Sequence, residues 1–410
     1  MDLPIQPFVS KPDAALELIG RAGLKNIDPY DHDLYNILKK VSCSIAPITN
    51  KAIESVDWSA ASGVTKQVHV APANQILQPI DYRNGRPDCF PWFRGRWNSP
   101  TPEFNTILVT NGYLLLLPDA PIALSSLRQV IEPYGSRYRG LLHYYDADAS
   151  KILDDAITIN GTVFNIIDDV WDLNFCHWIC DWLPRLAFLG SSGFDKDMYV
   201  ATSPLTTKFQ MESLMAAGFS HDRIVQMKPR TAIKAKRLIV PSDLGQIQHP
   251  AYKGSPWALN YLRGSIVANL APRKFDDLPK KLYVSRGDAD GRRILNEGEL
   301  MQRLERFGFK SVSLVGRSLG EQVALFSRAD NIVSLHGAAL SNLVFARRDV
   351  HVVEIFPQTY GTPAFAVIAT AAALNYATYI SRHVQSGSRS QLDDIILDVD
   401  EFIENCAAYL

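Results

Sequence analysis

Apolar and polar residues alternate along this chain with two periods, near two for strands and near 3.6 for helices, and their order predicts the elements. NTILVTNGYLLLLP (105–118) sets two apolar runs around an Asn-Gly pair, which predicts a hairpin turn, and ITINGTVFNIID (157–168) repeats the form. MYVATSP (198–204), RIVQM (223–227) and KAKRLIVPSD (234–243) read as strands and TKFQMESLMAAGF (207–219) as a helix, an alternation that suggests a parallel sheet. A Pro-punctuated join at 246–279 holds one predicted helix, WALNYLRGSIVANLA. Beyond it the alternation is regular. KKLYVSR, SVSLVG, NIVSLH and VHVVEIFP are strands, and NEGELMQRLERFG, GEQVALFSRA, GAALSNLVFA and the Ala-rich 362–375 are the helices that follow them. Four such βα units, about five with the pair that closes the chain, predict a doubly wound sheet. DIILDV and DEFIENCAAYL add a strand and a helix at the end.

The expected fold class is therefore α/β, with two halves joined near residue 250 and a cleft between them, where ligands usually sit. The first half is 1–250, of which 1–104 gives little pattern beyond short helices at 13–23 and 33–41 and a Pro- and Gly-rich loop at 83–104. The second is 251–385, and 386–410 is a tail.

Composition narrows the function classes. A net charge of -1 over 410 residues leaves no footprint for nucleic acid or an anionic membrane surface, so any anion site must be local. The N-terminus lacks the basic and apolar regions of a secretory signal, and the longest apolar run (364–374) is too short to span a bilayer. A cytoplasmic protein is the expectation, with arrival at a membrane through a partner left open. Five cysteines, an odd number in a long chain, imply no disulfide framework, and Cys176 and Cys180 do not match common zinc spacings.

In an open parallel sheet, ligands bind outside the carboxyl ends of the strands. After KKLYV come Ser285 and Arg286, then a loop with Arg292 and Arg293. His336, Gly337, Ala338 and Ala339 follow NIVSL and open a helix that carries Asn342, and Glu354 follows VHVV. A helix N-terminus offers free N–H groups, and Gly337 with two alanines leaves that backbone open to a phosphate. Arg286 and Arg293 would supply charge for a diphosphate, Glu354 would accept from ribose hydroxyls, and His336 would bond the phosphate or the sugar. The plainer alternative is surface arginines beside a close-packed helix start. Neither G-x-G-x-x-G nor G-x-x-x-x-G-K-[ST] occurs here, which argues against a Rossmann dehydrogenase and a P-loop enzyme.

NFCHWICDWLPRL (174–186) is the other candidate site. On a helix, Asn174, His177, Asp181 and Arg185 fall within about an 80° arc, and the remaining faces are apolar. His177 and Asp181, at i and i+4, are neighbours suited to general-base chemistry on a hydroxyl, with either residue as the base. The competing reading is a buried His–Asp pair that shapes the core. Pro184 should kink or restart the helix.

The ordered set N-x-x-H-x-x-x-D-x-L-P-R-L at 174–186, Y-V-S-R at 283–286 with Arg293, Asn296 and Glu297, E-Q-V at 321–323, HGAALSNLVF at 336–345 and V-E-I-F-P at 353–357 resembles glycosyltransferase family 61. The resemblance implies a GT-B fold, two Rossmann-like domains facing across a cleft. It implies inverting transfer from a nucleotide sugar, most often a UDP-sugar, as co-substrate, without a metal or other cofactor. The acceptor would be a glycan or lipid-linked saccharide, and the setting bacterial surface or capsular polysaccharide synthesis. His177 or Asp181 would be the base, with Asn174 and Arg185 lining the cleft. Two rivals stay open: a nucleotide-sugar-binding protein without catalysis, and a metal-dependent GT-A transferase, whose D-x-D motif has counterparts at Asp146–Asp148, Asp288–Asp290 and Asp398–Asp400.

Overall fold

The structure is a computed structural model, and it describes residues 55–57, 59–70, 73–74, 81–84, 100–101, 104–116, 121–135, 149–167, 174–189, 198–241, 256–270, 277–385 and 392–410. The helices expected at 13–23 and 33–41, most of the 83–104 loop and the Asp146–Asp148 triplet lie outside the described residues.

The second half builds a six-stranded sheet, parallel throughout. Its spatial order is Lys310–Val312, Lys281–Val284, Asn331–Leu335, His351–Pro357, Asn375–Ser381 and, at the edge, Asp81–Tyr82. Taken in chain order, the five strands after residue 280 lie 2-1-3-4-5, a doubly wound order that reverses direction between Lys281–Val284 and Asn331–Leu335. Alternation along the strands feeds two cores. Leu282, Val284, Ile332 and Val352 face helices Leu319–Arg328, Ala338–Phe345 and Ala364–Ala371, whereas Tyr283, Val333, Val353 and Ile355 face Glu297–Leu304 and the terminal helix Val399–Cys406. Burial on both faces is why these strands read as nearly continuous apolar runs.

The edge strand comes from far upstream. Asp81 and Tyr82 pair with Ala377 and Thr378, Arg83 N–H donates to Thr378 O at 3.0 Å, and Asn84 exchanges two bonds with Ile380. Arg83 Nε also reaches Asn405 O at 2.7 Å.

The first half forms a ten-stranded mixed sheet. Thr231–Pro241, Ile157–Asn165, Met198–Thr202 and Ile224–Gln226 run parallel, as the alternation predicts. Beyond Thr231–Pro241 the order turns antiparallel through Tyr113–Leu116 and Pro121–Leu124.

Neither Asn-Gly pair makes a hairpin. Phe104–Thr110 and Tyr113–Leu116 pair with successive parts of the same partner, Arg237–Pro241 and Thr231–Lys234, so they are one strand with a kink at Asn111 and Gly112. Asn111 takes φ 52° there, and Gly112 leaves no room for a Cβ beside Val109. The strand changes its outer neighbour at the kink, from Val64–Val70 to Pro121–Leu124. On the other side of Thr231–Pro241, Asn160 and Gly161 form a bulge, with Ile159 opposite Ala235 but Thr162 opposite Arg237. Both pairs supply the backbone freedom of a turn, and the long partner strand between them spends it on twist.

Helical segments 175–189, 208–216 and 256–270 share one continuous apolar core with both sheets. The 175–177 turn packs directly against Ala338–Phe345. Among the described residues no helix is long and apolar enough to cross a membrane.

Candidate active site

The crevice at the direction-reversal point lies where Ser285 and Arg286 follow one strand and His336 and Gly337 follow the next. Ser285 Oγ donates to Glu297 Oε1 at 2.8 Å and accepts from Gly287 N–H at 3.1 Å, so it organises the loop. Tyr283 Oη donates to the same carboxylate oxygen. The Arg286 guanidinium donates to the carbonyls of Arg292 (3.2 Å) and Gly291 (3.5 Å) and lies against Gly337. A Cβ on Gly337 would meet Arg286 Nη1 at 2.1 Å.

Arg292 adds a second charge. Its φ of 56° turns the side chain inward, where the guanidinium lies 4.8 Å from the Tyr360 ring centroid and its Nε has no hydrogen-bond partner. Burial, followed by repulsion from Arg286, pushes it down to about 10, still a cation at neutral pH. Burial likewise lowers Arg286, against an opposing pull from Asp288. Two partly desolvated guanidinium groups close to each other, one of them against Gly337 just before Ala338–Phe345, suit an anion with more than one charge. That segment is a 3₁₀ helix, and Ala338 and Ala339 at its start are half-buried. Asn342, inside it, is fully buried, and its Nδ2 donates to Gln322 Oε1 (3.1 Å) and Ala339 O (3.0 Å). Asn342 therefore braces two helices and does not reach the crevice.

Arg293 is not in this site. It points to the opposite side of the loop, where Nη2 meets Asp394 Oδ2 at 2.7 Å, and its backbone N–H also donates to Asp394. The arginine that enters the crevice is its neighbour, Arg292. Glu354 is placed differently from the ribose contact expected of it. It sits within the His351–Pro357 strand, opposite Ser334 and Thr378, and is fully buried. Its Oε1 bonds His336 Nδ1 and its Oε2 accepts from Tyr376 Oη. His336 is buried beneath the crevice, stacked on Phe356 with centroids 4.8 Å apart. Burial, reinforced by Arg292 and Arg286, holds its imidazole well below the usual range, and burial raises Glu354 well above the usual carboxylate range.

Beside the crevice, Asn174 caps the 175–177 turn, accepting from Cys176 N–H at 2.9 Å and His177 N–H at 3.4 Å. The helix continues as a π-turn at Trp178–Trp182, where Leu183 N–H reaches back to Trp178 O, and then tightens to 3₁₀ over Leu183–Leu189. Pro184 lacks the N–H that a regular helix needs, and the wide turn just before it accommodates the loss. Asp181 lies on this π-turn. Its Oδ2 holds His177 Nδ1 at 2.6 Å, with the histidine side chain 34% exposed and the aspartate 12%. Arg185 is buried, and its Nε donates to Asp181 O at 3.1 Å, so it fixes the turn from below. Cys176 and Cys180 are buried in the core and neither is part of a disulfide.

Two of the three acidic triplets can be followed. Asp398 caps the terminal helix and Asp400 pairs with Arg303, while Asp288 accepts from Ser313 Oγ. Among the described residues no three His, Cys, Asp or Glu side chains are grouped as a metal site.

The family described as Glycosyltransferase 61 matches residues 175–353. An 86-residue stretch is 38% identical to the protein O-linked-mannose beta-1,4-N-acetylglucosaminyltransferase 2 of Mus musculus, with the same identity over the same length for those of Canis lupus familiaris and Bos taurus. The stretch covers 20% of this chain and 15% of each relative. The family match spans the His177–Asp181 pair, Arg286, Arg292 and Gly337, so both candidate sites fall within the part of the chain that is similar to glycosyltransferase 61.

Proposed function

We propose that this chain transfers a sugar from a nucleoside-diphosphate donor, a UDP-sugar, to a hydroxyl of a glycan or lipid-linked saccharide, with inversion at the anomeric carbon. The observation that carries the reading is Arg286 set against Gly337 at the reversal point with the buried Arg292 charge beside it, both acting on His336, and the His177–Asp181 pair on the turn packed against the helix that follows Gly337. In the reaction, the acceptor oxygen bonds the anomeric carbon as the bond from that carbon to the diphosphate breaks. Arg286, Arg292 and the N–H groups that open the 338–345 helix take up the charge on the departing diphosphate. That charge supply makes a metal unnecessary in this reading. His177 takes the acceptor proton. Asp181, more buried and bonded to Nδ1, orients the ring for the transfer.

The relatives' names, which describe a beta-1,4 N-acetylglucosaminyl transfer to O-linked mannose, are in line with a hydroxyl acceptor. In this reading the two sheets are the two halves of a GT-B architecture, and the biological setting is cytoplasmic synthesis of a surface polysaccharide. Calorimetry with UDP, GDP, CMP and NAD tests the donor site. Tight binding of UDP alone is expected, and no binding of any nucleotide overturns the reading. Transfer assays in chelator and with His177→Asn separate the rivals. Loss of turnover in chelator would favour a metal-dependent transferase, and full turnover in His177→Asn would remove the assigned base.

A further inference from the structure

Glu354 has no exposed surface, yet it is the centre of a three-residue chain that crosses the sheet at the floor of the crevice. The strand register sets the chain: Glu354 lies on His351–Pro357, Tyr376 on the adjacent strand to one side, and His336 at the end of the adjacent strand to the other. Tyr376 Oη donates to Glu354 Oε2, and Glu354 Oε1 bonds His336 Nδ1. The imidazole cannot turn. It stacks on Phe356, Phe365 and Tyr360 close around it at 5.3 and 5.5 Å, and its backbone N–H donates to Ile355 O at 2.8 Å. The next residue is Gly337, on which Arg286 lies.

On this geometry, and resting on the donor site proposed above, we propose that Glu354 and Tyr376 are positioning residues that fix His336 as an Nε2–H donor to the diphosphate. The proton bookkeeping is simple. A neutral imidazole carries one N–H. If Glu354 is a carboxylic acid donating to Nδ1, that proton must be on Nε2, across the ring from the carboxyl. Full burial favours the acid form, because it penalises the carboxylate more than the acid. The groups facing the pair are Arg286, Arg292, Tyr376 and, beyond Tyr376, Tyr82. Arg292 opposes protonation of Glu354, and a bound diphosphate would cancel that opposition. The site thus meets its anion with fixed cations from one side and a neutral donor from below, with no buried carboxylate to repel it.

The test compares Glu354→Gln, Glu354→Leu and Tyr376→Phe by UDP calorimetry, with the tautomer of His336 read from imidazole ¹⁵N shifts. Glutamine reproduces the acid, since its amide donates to Nδ1 and its carbonyl accepts from Tyr376. Glu354→Gln should keep the Nε2–H form and bind UDP within about twofold of the parent. Glu354→Leu should weaken UDP binding by about tenfold or more, the scale of one hydrogen bond to a charged group, and Tyr376→Phe by a few-fold. A parent protein whose His336 is protonated at Nδ1 overturns the inference whatever UDP does, and needs no variant to fold. So does a Glu354→Gln protein that loses UDP while keeping its melting temperature. A parent that binds no UDP removes the donor site and this inference with it. A parent that binds UDP while Tyr376→Phe and Glu354→Leu bind equally well removes the positioning role alone.

Discussion

In the mixed sheet a Cβ on Gly112 would lie 2.6 Å from Val109 Cγ1, and in the parallel sheet a Cβ on Gly337 would lie 2.1 Å from Arg286 Nη1. The clashes look alike on paper but differ in kind. Val109 is a buried branched side chain whose Cβ is also within 2.8 Å, so nothing there can give way. Arg286 Nη1 is the far end of a long side chain that can swing aside. Gly112 therefore protects the fold and Gly337 protects the position of a charge. The first half of the molecule spends its irregularities on shaping a sheet, and the second on bringing charged groups to one crevice.

Substitutions can break that contrast, and the largest effect should come from the base. His177→Asn should lower kcat by about 10²- to 10⁴-fold with little change in UDP affinity, because the lost proton transfer belongs to the transition state. Next, Arg286→Ala should cost about 10²-fold in kcat/KM for the donor, and calorimetry should show UDP binding weakened as well. Gly337→Ala should weaken UDP binding by roughly tenfold while the melting temperature stays near that of the parent, since only the guanidinium moves. Gly112→Ala should do the reverse, losing about 1–3 kcal/mol of stability in denaturant unfolding while the folded fraction keeps its turnover. The smallest effect should be that of Arg293→Ala. Its partner is Asp394 at the surface, so UDP affinity should be unchanged, whereas Arg292→Ala should clearly weaken it. Equal losses at 292 and 293 would show that the loop is not held as described.

Much of this was legible in the sequence. The regular βα alternation after residue 280 gave the doubly wound sheet, and its strand ends gave Arg286, His336 and Gly337 as neighbours. The i, i+4 spacing gave the His177–Asp181 bond. Other features were hidden for physical reasons. Arg292 and Arg293 are chemically the same, and only a positive φ at Arg292 decides which one turns inward. Glu354 was misplaced as a strand end because a strand buried on both faces shows no alternation to mark where it stops. The resulting position, mid-strand and solvent-free, changes what a carboxyl there can do. Tyr376 carried no signal at all, since an aromatic in a strand is ordinary. The Asn-Gly pairs show the converse: a permissive local sequence predicts a turn, and a long neighbouring strand overrides it.

The pairing of Asp81–Tyr82 with Ala377 and Thr378 has a practical consequence for anyone who wants to take this protein apart. A fragment starting at residue 251 would hold every strand of the six-stranded parallel sheet but Asp81–Tyr82, leaving Asn375–Ser381 with an open row of amides and carbonyls. Such an edge recruits whatever strand is nearest, usually another copy of itself. Adding the 81–84 segment back as a separate peptide should quiet that self-association, and the minimal unit worth expressing is one that keeps both pieces.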